Sequence, residues 1–130
     1  MHLIRHATLI APTQHAEDTA VLFNGAHIMA VGHDAVLHAP SDAQVIDGRG
    51  QLLVPGYIDR QLNGAFGSDF TADPTTIWPV SARLPQFGVT SYLPTVITSP
   101  LETIEQARVE LLQSRPAGFR GAEPLGLHIE

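Results

Sequence analysis

The chain has no cysteine and no lysine among its 130 residues. The first absence excludes a disulfide framework and any thiolate metal site, and it suits a reducing compartment. The second leaves seven arginines against thirteen acidic residues and a formal net charge of −6. Such a balance gives no basic footprint for nucleic acid and no attraction to an anionic membrane surface. No stretch approaches the roughly 18 consecutive apolar residues of a membrane span. The opening Met1-His2-Leu3-Ile4-Arg5-His6 is broken by charge where a secretion signal needs an unbroken apolar core. Neither a repeat of fixed period nor a low-complexity tract is present. What remains is a protein directed at small molecules and expected in the cytoplasm, with no nucleic-acid or membrane partner.

What is present divides at about residue 54. Residues 1–54 read as short strands, Leu3 to Ile10, Thr19 to Asn24, His27 to Val31, Gln44 to Ile46 and Gln51 to Val54. Asn24-Gly25 between two apolar runs predicts a type I′ hairpin turn, since both central residues of that turn need positive φ. Asp47-Gly48-Arg49-Gly50 marks another turn. The pattern predicts a β-layer that forms part of a small β-sandwich. From residue 55 the period changes to strand, helix, strand, helix, strand, the alternation of parallel β/α units. A first helix is expected from Asp73-Pro74 towards Phe87, short, kinked or split because Pro79 and Pro85 each remove a backbone donor. A second is expected after Ser99 as cap and Pro100 as first-turn residue, with Leu101, Ile104, Val109 and Leu112 on its apolar stripe, ending before Pro116.

The chemistry gathers at strand ends. Val54-Pro55-Gly56-Tyr57-Ile58-Asp59-Arg60-Gln61-Leu62-Asn63-Gly64 reads as a buried strand entered through a Pro-Gly turn, with Gln61 and Asn63 two apart and so on one side. Gly88-Val89-Thr90-Ser91-Tyr92-Leu93-Pro94-Thr95-Val96 is a second such strand, rich in β-branched and aromatic residues. Pro124-Leu125-Gly126-Leu127-His128-Ile129-Glu130 is a third, finishing on a carboxylate. Polar groups at the C-terminal tips of parallel strands are where an α/β barrel keeps its active site. A Gln and an Asn in an ordinary loop, or a surface Glu after an apolar strand, would look the same one at a time.

Together, the motifs PGYIDRQLNG, GVTSYLPTVITSP and LGLHIE resemble the N-acetylglucosamine-6-phosphate deacetylases of the amidohydrolase superfamily. The resemblance extends over essentially the whole chain, with the first 54 residues similar only at the level of the superfamily. It implies an N-terminal β-layer followed by the first three β/α units of a TIM-like (β/α)8 barrel, with domains at 1–54 and 55–130. It also implies Glu130 as a metal ligand, and Gln61, Asn63 and His128 as residues lining the active site. One divalent ion is implied, zinc first, with iron or another divalent ion as alternatives. Most amidohydrolases carry His-x-His where this chain has Gln61 and Asn63, a departure that is itself typical of many members of this branch and that counts against a second ion. Two further histidine ligands and the general acid/base are expected beyond residue 130, so no catalytic residue is assigned within the chain. The substrate implied is an amino-sugar phosphate, and the complete protein is expected to be a homodimer.

Length sets the scope of that expectation. A complete eight-stranded barrel takes about 250 residues, so 130 residues correspond to the N-terminal part of such an enzyme, expected to be inactive alone. His2, His6, His15, His27, His33 and His38 lie in the β-layer without metal-ligand spacing. His128 shares the direction of Glu130 two residues later and is either a packed imidazole or a group that orients ligands. Asp59 reads as a structural hydrogen-bonding group. Two other functional classes stay open: an amidohydrolase acting on a cyclic amide or an amine-bearing ring, and a non-catalytic fragment that associates with its missing half.

Overall fold

The computed structural model describes residues 1–130, which form two compact units, Met1–Pro55 and Gly56–Glu130. The first is a five-stranded mixed sheet in the order β3-β2-β1-β4, with β5 also pairing β1. Its strands are β1 (His2–Ala11), β2 (Gln14–Asn24), β3 (His27–Val31), β4 (Gln44–Asp47) and β5 (Leu52–Leu53). β1 runs antiparallel to β2 and parallel to β4 and β5. One short helix, α1 (His33–Leu37), is absent from the sequence reading. It buries Ala35 with Leu3, Ala20 and Leu22 as the core of this unit. Five residues give too little periodicity to be seen in the sequence.

The hairpin differs from the expected one. Asn24 pairs with His27, so Gly25 and Ala26 are the central residues, and of these only Gly25 has positive φ (56°). A type I′ turn would need two. The register slips between Leu22 and Phe23 absorb the extra residue. A second irregularity falls between Ile4 and Leu9 of β1. There His6 (φ 62°) and Asp18 (φ 46°) both take left-handed backbone, and His6 Nδ1 lies 2.8 Å from Asp18 Oδ1.

The second unit is a parallel sheet built from β6 (Tyr57–Leu62), β7 (Val89–Val96), β8 (Glu123–Pro124) and β9 (His128–Ile129). β7 is the middle strand. β6 lies along one edge, and the other edge meets β8 at Ser91 and Tyr92, then β9 at Thr95 and Val96. The connections are helical: a 3₁₀ turn at Pro74–Thr76, α2 (Ile77–Arg83) and a second 3₁₀ turn at Leu84–Phe87 lead from β6 to β7, and α3 (Leu101–Gln113) leads from β7 to β8. The first helical segment is thus split: Pro79 is tolerated in the first turn of α2, where its N–H would be unpaired, and Pro85 lies at the start of the second 3₁₀ turn, where α2 ends. Asp73 caps it by accepting from the Thr75 N–H at 3.1 Å, and Gly88 at φ 81° ends it. For α3 the expected cap is wrong: Ser99 donates its hydroxyl to the Ile97 carbonyl at 2.8 Å, and Pro100 occupies the capping position. The expected burial of β6 is also wrong. Tyr57 and Ile58 are about 60% exposed, because in these 130 residues only the far end of the edge strand β6, at Leu62, packs against the core.

The core of this unit joins Phe70, Ile77, Val80, Leu84, Tyr92 and Ala122. Tyr92 is fully buried, and its hydroxyl sits 2.7 Å from Ser81 Oγ and donates to the Ile77 carbonyl at 3.3 Å. Burial pushes this phenol up to about 12, with the Ser81 hydrogen bond opposing the shift. Since the folded value lies above the ordinary one near 10, the contribution to stability is complete below pH ~10 and is lost as pH rises towards 12, by up to about 1.4 kcal/mol per pH unit. Urea unfolding at pH 8 and pH 11 is therefore expected to show a steeper loss in the wild type than in Tyr92→Phe. The Phe variant should cost about 1 kcal/mol at pH 8. Equal slopes for both proteins would contradict the assignment.

Candidate functional site

Parallel pairing aligns the ends of β6, β7 and β9. Leu62 pairs with Pro94, and Thr95 pairs with His128. Side chains alternate along a strand, so Asn63, Thr95 and His128 stand in one row on one face, with Glu130 ahead of His128 on that same face, whereas Gln61 falls in the register irregularity of β6 between Asp59 and Leu62. The structure bears this out at the rim. Asn63 Nδ2 donates to Glu130 Oε2 at 3.4 Å, a long contact between residues 67 apart in the sequence that reaches across the end of β7.

Each group is held from below. The Glu130 N–H donates to the Val96 carbonyl at 3.1 Å, and its own carbonyl accepts the Thr98 hydroxyl at 2.7 Å. With the main chain fixed at both sides, the exposed carboxylate projects from a rigid base. Asn63 is held by the loop that follows it: its carbonyl accepts the Phe70 N–H at 2.9 Å, and Ser68 N–H donates to the Ala65 carbonyl at 3.0 Å. Gly64 is required there, since a Cβ at that position would lie 2.0 Å from the Ser68 carbonyl oxygen. Asp59 is half-buried and accepts the Gln61 N–H at 3.0 Å, a structural bond that shapes the strand just before Gln61. His128 Nδ1 meets the Thr95 hydroxyl at 3.2 Å.

Sequence reasoning missed three threonines that build this end of the sheet. Thr95 contacts His128, Thr98 holds the Glu130 main chain, and Thr71 accepts the Ile97 N–H at 3.1 Å through its hydroxyl. Thr95 could have been found, because it lies at the C-terminal end of β7, three residues after Tyr92 and so on the opposite face from the core-facing tyrosine. Thr71 and Thr98 carry no such signal. Gln61 is exposed, and its side chain touches none of the other three.

The donors collected here are one carboxylate, one imidazole and two amides. No group of three His, Cys, Asp or Glu residues lies close enough to hold a metal ion. This set fits one ligand position of a divalent ion, through Glu130, and not a closed coordination shell. The six histidines of the first unit form no metal cluster either. No helix is long and apolar enough to cross a membrane.

Comparison with known proteins points the same way. No protein-family model matches the chain. Over 85 residues it is 40% identical to the N-acetylglucosamine-6-phosphate deacetylase of Homo sapiens, a match covering 62% of this chain and 20% of that protein. Over 100 residues it is 35% identical to the N-acetylgalactosamine-6-phosphate deacetylase of Escherichia coli O157:H7, covering 75% of this chain and 26% of that one. Among solved structures, the N-acetylglucosamine-6-phosphate deacetylase of Pasteurella multocida superposes with a TM-score of 0.83 at 30% identity, over 98% of this chain and 33% of that one. The chain is thus similar to the deacetylases in both sequence and structure, and it spans about a fifth to a quarter of the length of these curated relatives.

Proposed function

We propose that the chain is the N-terminal part of a metal-dependent deacetylase that converts N-acetylglucosamine 6-phosphate to glucosamine 6-phosphate and acetate. The observation that carries the reading is the meeting of Asn63 and Glu130 across the end of β7, in a chain whose relatives bear that activity in their names. The parallel sheet of β6, β7, β8 and β9 with its two helical crossovers is read as the opening of a (β/α)8 barrel, supplying two β/α units and a third strand in two pieces. Polar groups at the strand C-termini then face the active-site end of that barrel.

In this reading Glu130 supplies one anionic oxygen to a single divalent ion, with zinc the first candidate, and the remaining ligands come from residues after Glu130. A divalent ion at such a site polarises an amide carbonyl and brings the pKa of a bound water towards neutrality. The chain's own residues do the rest of the work assigned here. Asn63 orients the Glu130 carboxylate by donating to Oε2. Gln61, exposed near the end of β6, offers both a donor and an acceptor to water or substrate. The rigid main chain of Glu130 keeps the carboxylate at a fixed height above the sheet.

The test is acetate release by the complete protein. Turnover in the ordinary enzymatic range of roughly 1–10³ per second is expected on N-acetylglucosamine 6-phosphate. A preference for N-acetylgalactosamine 6-phosphate would move the reading to the chemistry named for the Escherichia coli relative. Hydrolysis of a cyclic amide, with neither sugar phosphate touched, would overturn it. Residues 1–130 alone are expected to give no turnover, because one carboxylate cannot hold a catalytic ion; activity of that length by itself would also refute the assignment.

A further inference from the structure

The end of β7 buries a hydroxyl that strand packing alone does not require. Thr95 is fully buried, and valine has the same shape without a polar atom, so the hydroxyl must find partners to offset its desolvation. It has two, the Leu93 carbonyl oxygen at 3.2 Å and His128 Nδ1 at 3.2 Å. A threonine hydroxyl carries one proton, and a carbonyl oxygen can only accept. The contact with Leu93 uses that proton, so the contact with His128 is made by the ring nitrogen donating to the threonine oxygen. His128 then carries a proton on Nδ1, and in the neutral ring Nε2 is left with a bare lone pair.

We propose that Thr95 is a positioning residue that fixes His128 in the Nδ1–H tautomer, so that Nε2 serves the site as a hydrogen-bond acceptor for a water, or for an N–H or O–H group of the substrate. The other polar groups at this end are already committed in complementary ways: the Asn63 amide donates to Glu130, and the Glu130 carboxylate accepts. A neutral acceptor beside them discriminates between ligands that present a donor at that point and those that present a carbonyl or ether oxygen. The opposite tautomer would reverse that preference. The tautomer of the neutral ring follows from the two hydrogen bonds of Thr95, whereas its effect on turnover rests on the deacetylase reading.

The complete protein, labelled with ¹⁵N-histidine and without substrate, tests the first part by long-range ¹H–¹⁵N correlation at a pH where the ring is neutral. The His128 signals are those lost in His128→Gln. A pyrrole-type Nδ1 with a pyridine-type Nε2 is expected, a shift towards the opposite pattern in Thr95→Val, and its return in Thr95→Ser. A pyrrole-type Nε2 in the wild type overturns the inference, as does an unchanged pattern in Thr95→Val. Should the Val variant not fold, the wild-type spectrum decides alone. Acetate release tests the second part: Thr95→Val should lower kcat roughly 10-fold with little change in KM, as expected for loss of a partner that orients a site residue, and Thr95→Ser should recover most of it. Equal kcat in all three proteins overturns the role in turnover. Absence of deacetylation in the wild type itself removes the deacetylase reading and leaves the tautomer result standing.

Discussion

Glu130→Gln in the complete protein is expected to lose the divalent ion and to lower acetate release by roughly 100-fold or more. Removing groups that merely support a metal ligand already costs about 10–100-fold, and here the ligand itself is neutralised. The substitution keeps the side-chain length, and the new amide oxygen still accepts from Asn63 Nδ2, so the geometry across β7 survives. What disappears is the negative charge, the property for which a carboxylate is suited to a hard divalent ion. The side chain is exposed and the main chain is held by Val96 and Thr98 independently of it. Stability without metal should therefore change by no more than about 0.5 kcal/mol, the usual range for exposed positions. Metal analysis after dialysis, acetate release and urea unfolding separate these effects. Full metal content together with normal turnover would show that Glu130 is not a ligand.

A second large effect is expected from a site that touches no ligand. Gly64→Ala should destabilise the protein by about 3 kcal/mol or more, because the added methyl would sit 2.0 Å from the Ser68 carbonyl oxygen, 2.8 Å from the carbon of that carbonyl and 2.9 Å from Asp69 Cα. All three are main-chain atoms, so no flexible side chain can move aside. The loop cannot easily widen either. Phe70 N–H is bonded to the Asn63 carbonyl, and Asp69 Oδ1 accepts from Thr71 N–H at 2.8 Å and Ala72 N–H at 3.3 Å. Phe70 is in turn part of the fully buried core. If the loop does shift, Asn63 moves with it and the contact to Glu130 is lost. Thermal unfolding and acetate release should fall together, and a Gly64→Ala protein with wild-type stability would show that the loop relaxes more freely than its hydrogen bonds imply.

The sequence revealed elements whose signals are local and strong. β7 was legible because Val89, Thr90, Tyr92 and Val96 favour a pleated strand, and α3 because Leu101, Ile104 and Leu112 recur at helical spacing among charges. The end of α2 before Pro85 followed from the missing donor, while Pro79 falls in the first turn of α2 and breaks nothing. Misreadings arose where a local signal competes with its surroundings. Ser99 has the chemistry of a cap, yet the Ile97 carbonyl lies closer to hand and takes its proton. Tyr57 and Ile58 look buried by composition, but burial depends on what packs against an edge strand and not on the strand itself. Of the site, Asn63, His128 and Glu130 were readable from their period of two and their placement at strand ends. Thr98 and Thr71 were not, since a threonine hydroxyl acting on a distant main chain leaves no pattern in one sequence.

Pro94 gives the sheet a division that the strand order alone does not convey. The carbonyls of Tyr92 and Val96 face the β8–β9 edge, where they accept from Leu125 and Glu130. Pro94, two residues from each, turns to that same edge and has no N–H to give. The lateral rungs therefore stop between β8 and β9. Below the gap the sheet is tied to the Tyr92 core; above it lie Thr95, His128 and Glu130. The end that carries the site groups is therefore held by its own rungs, Thr95 with His128 and Val96 with Ile129, and by the full burial of Thr95 and Val96.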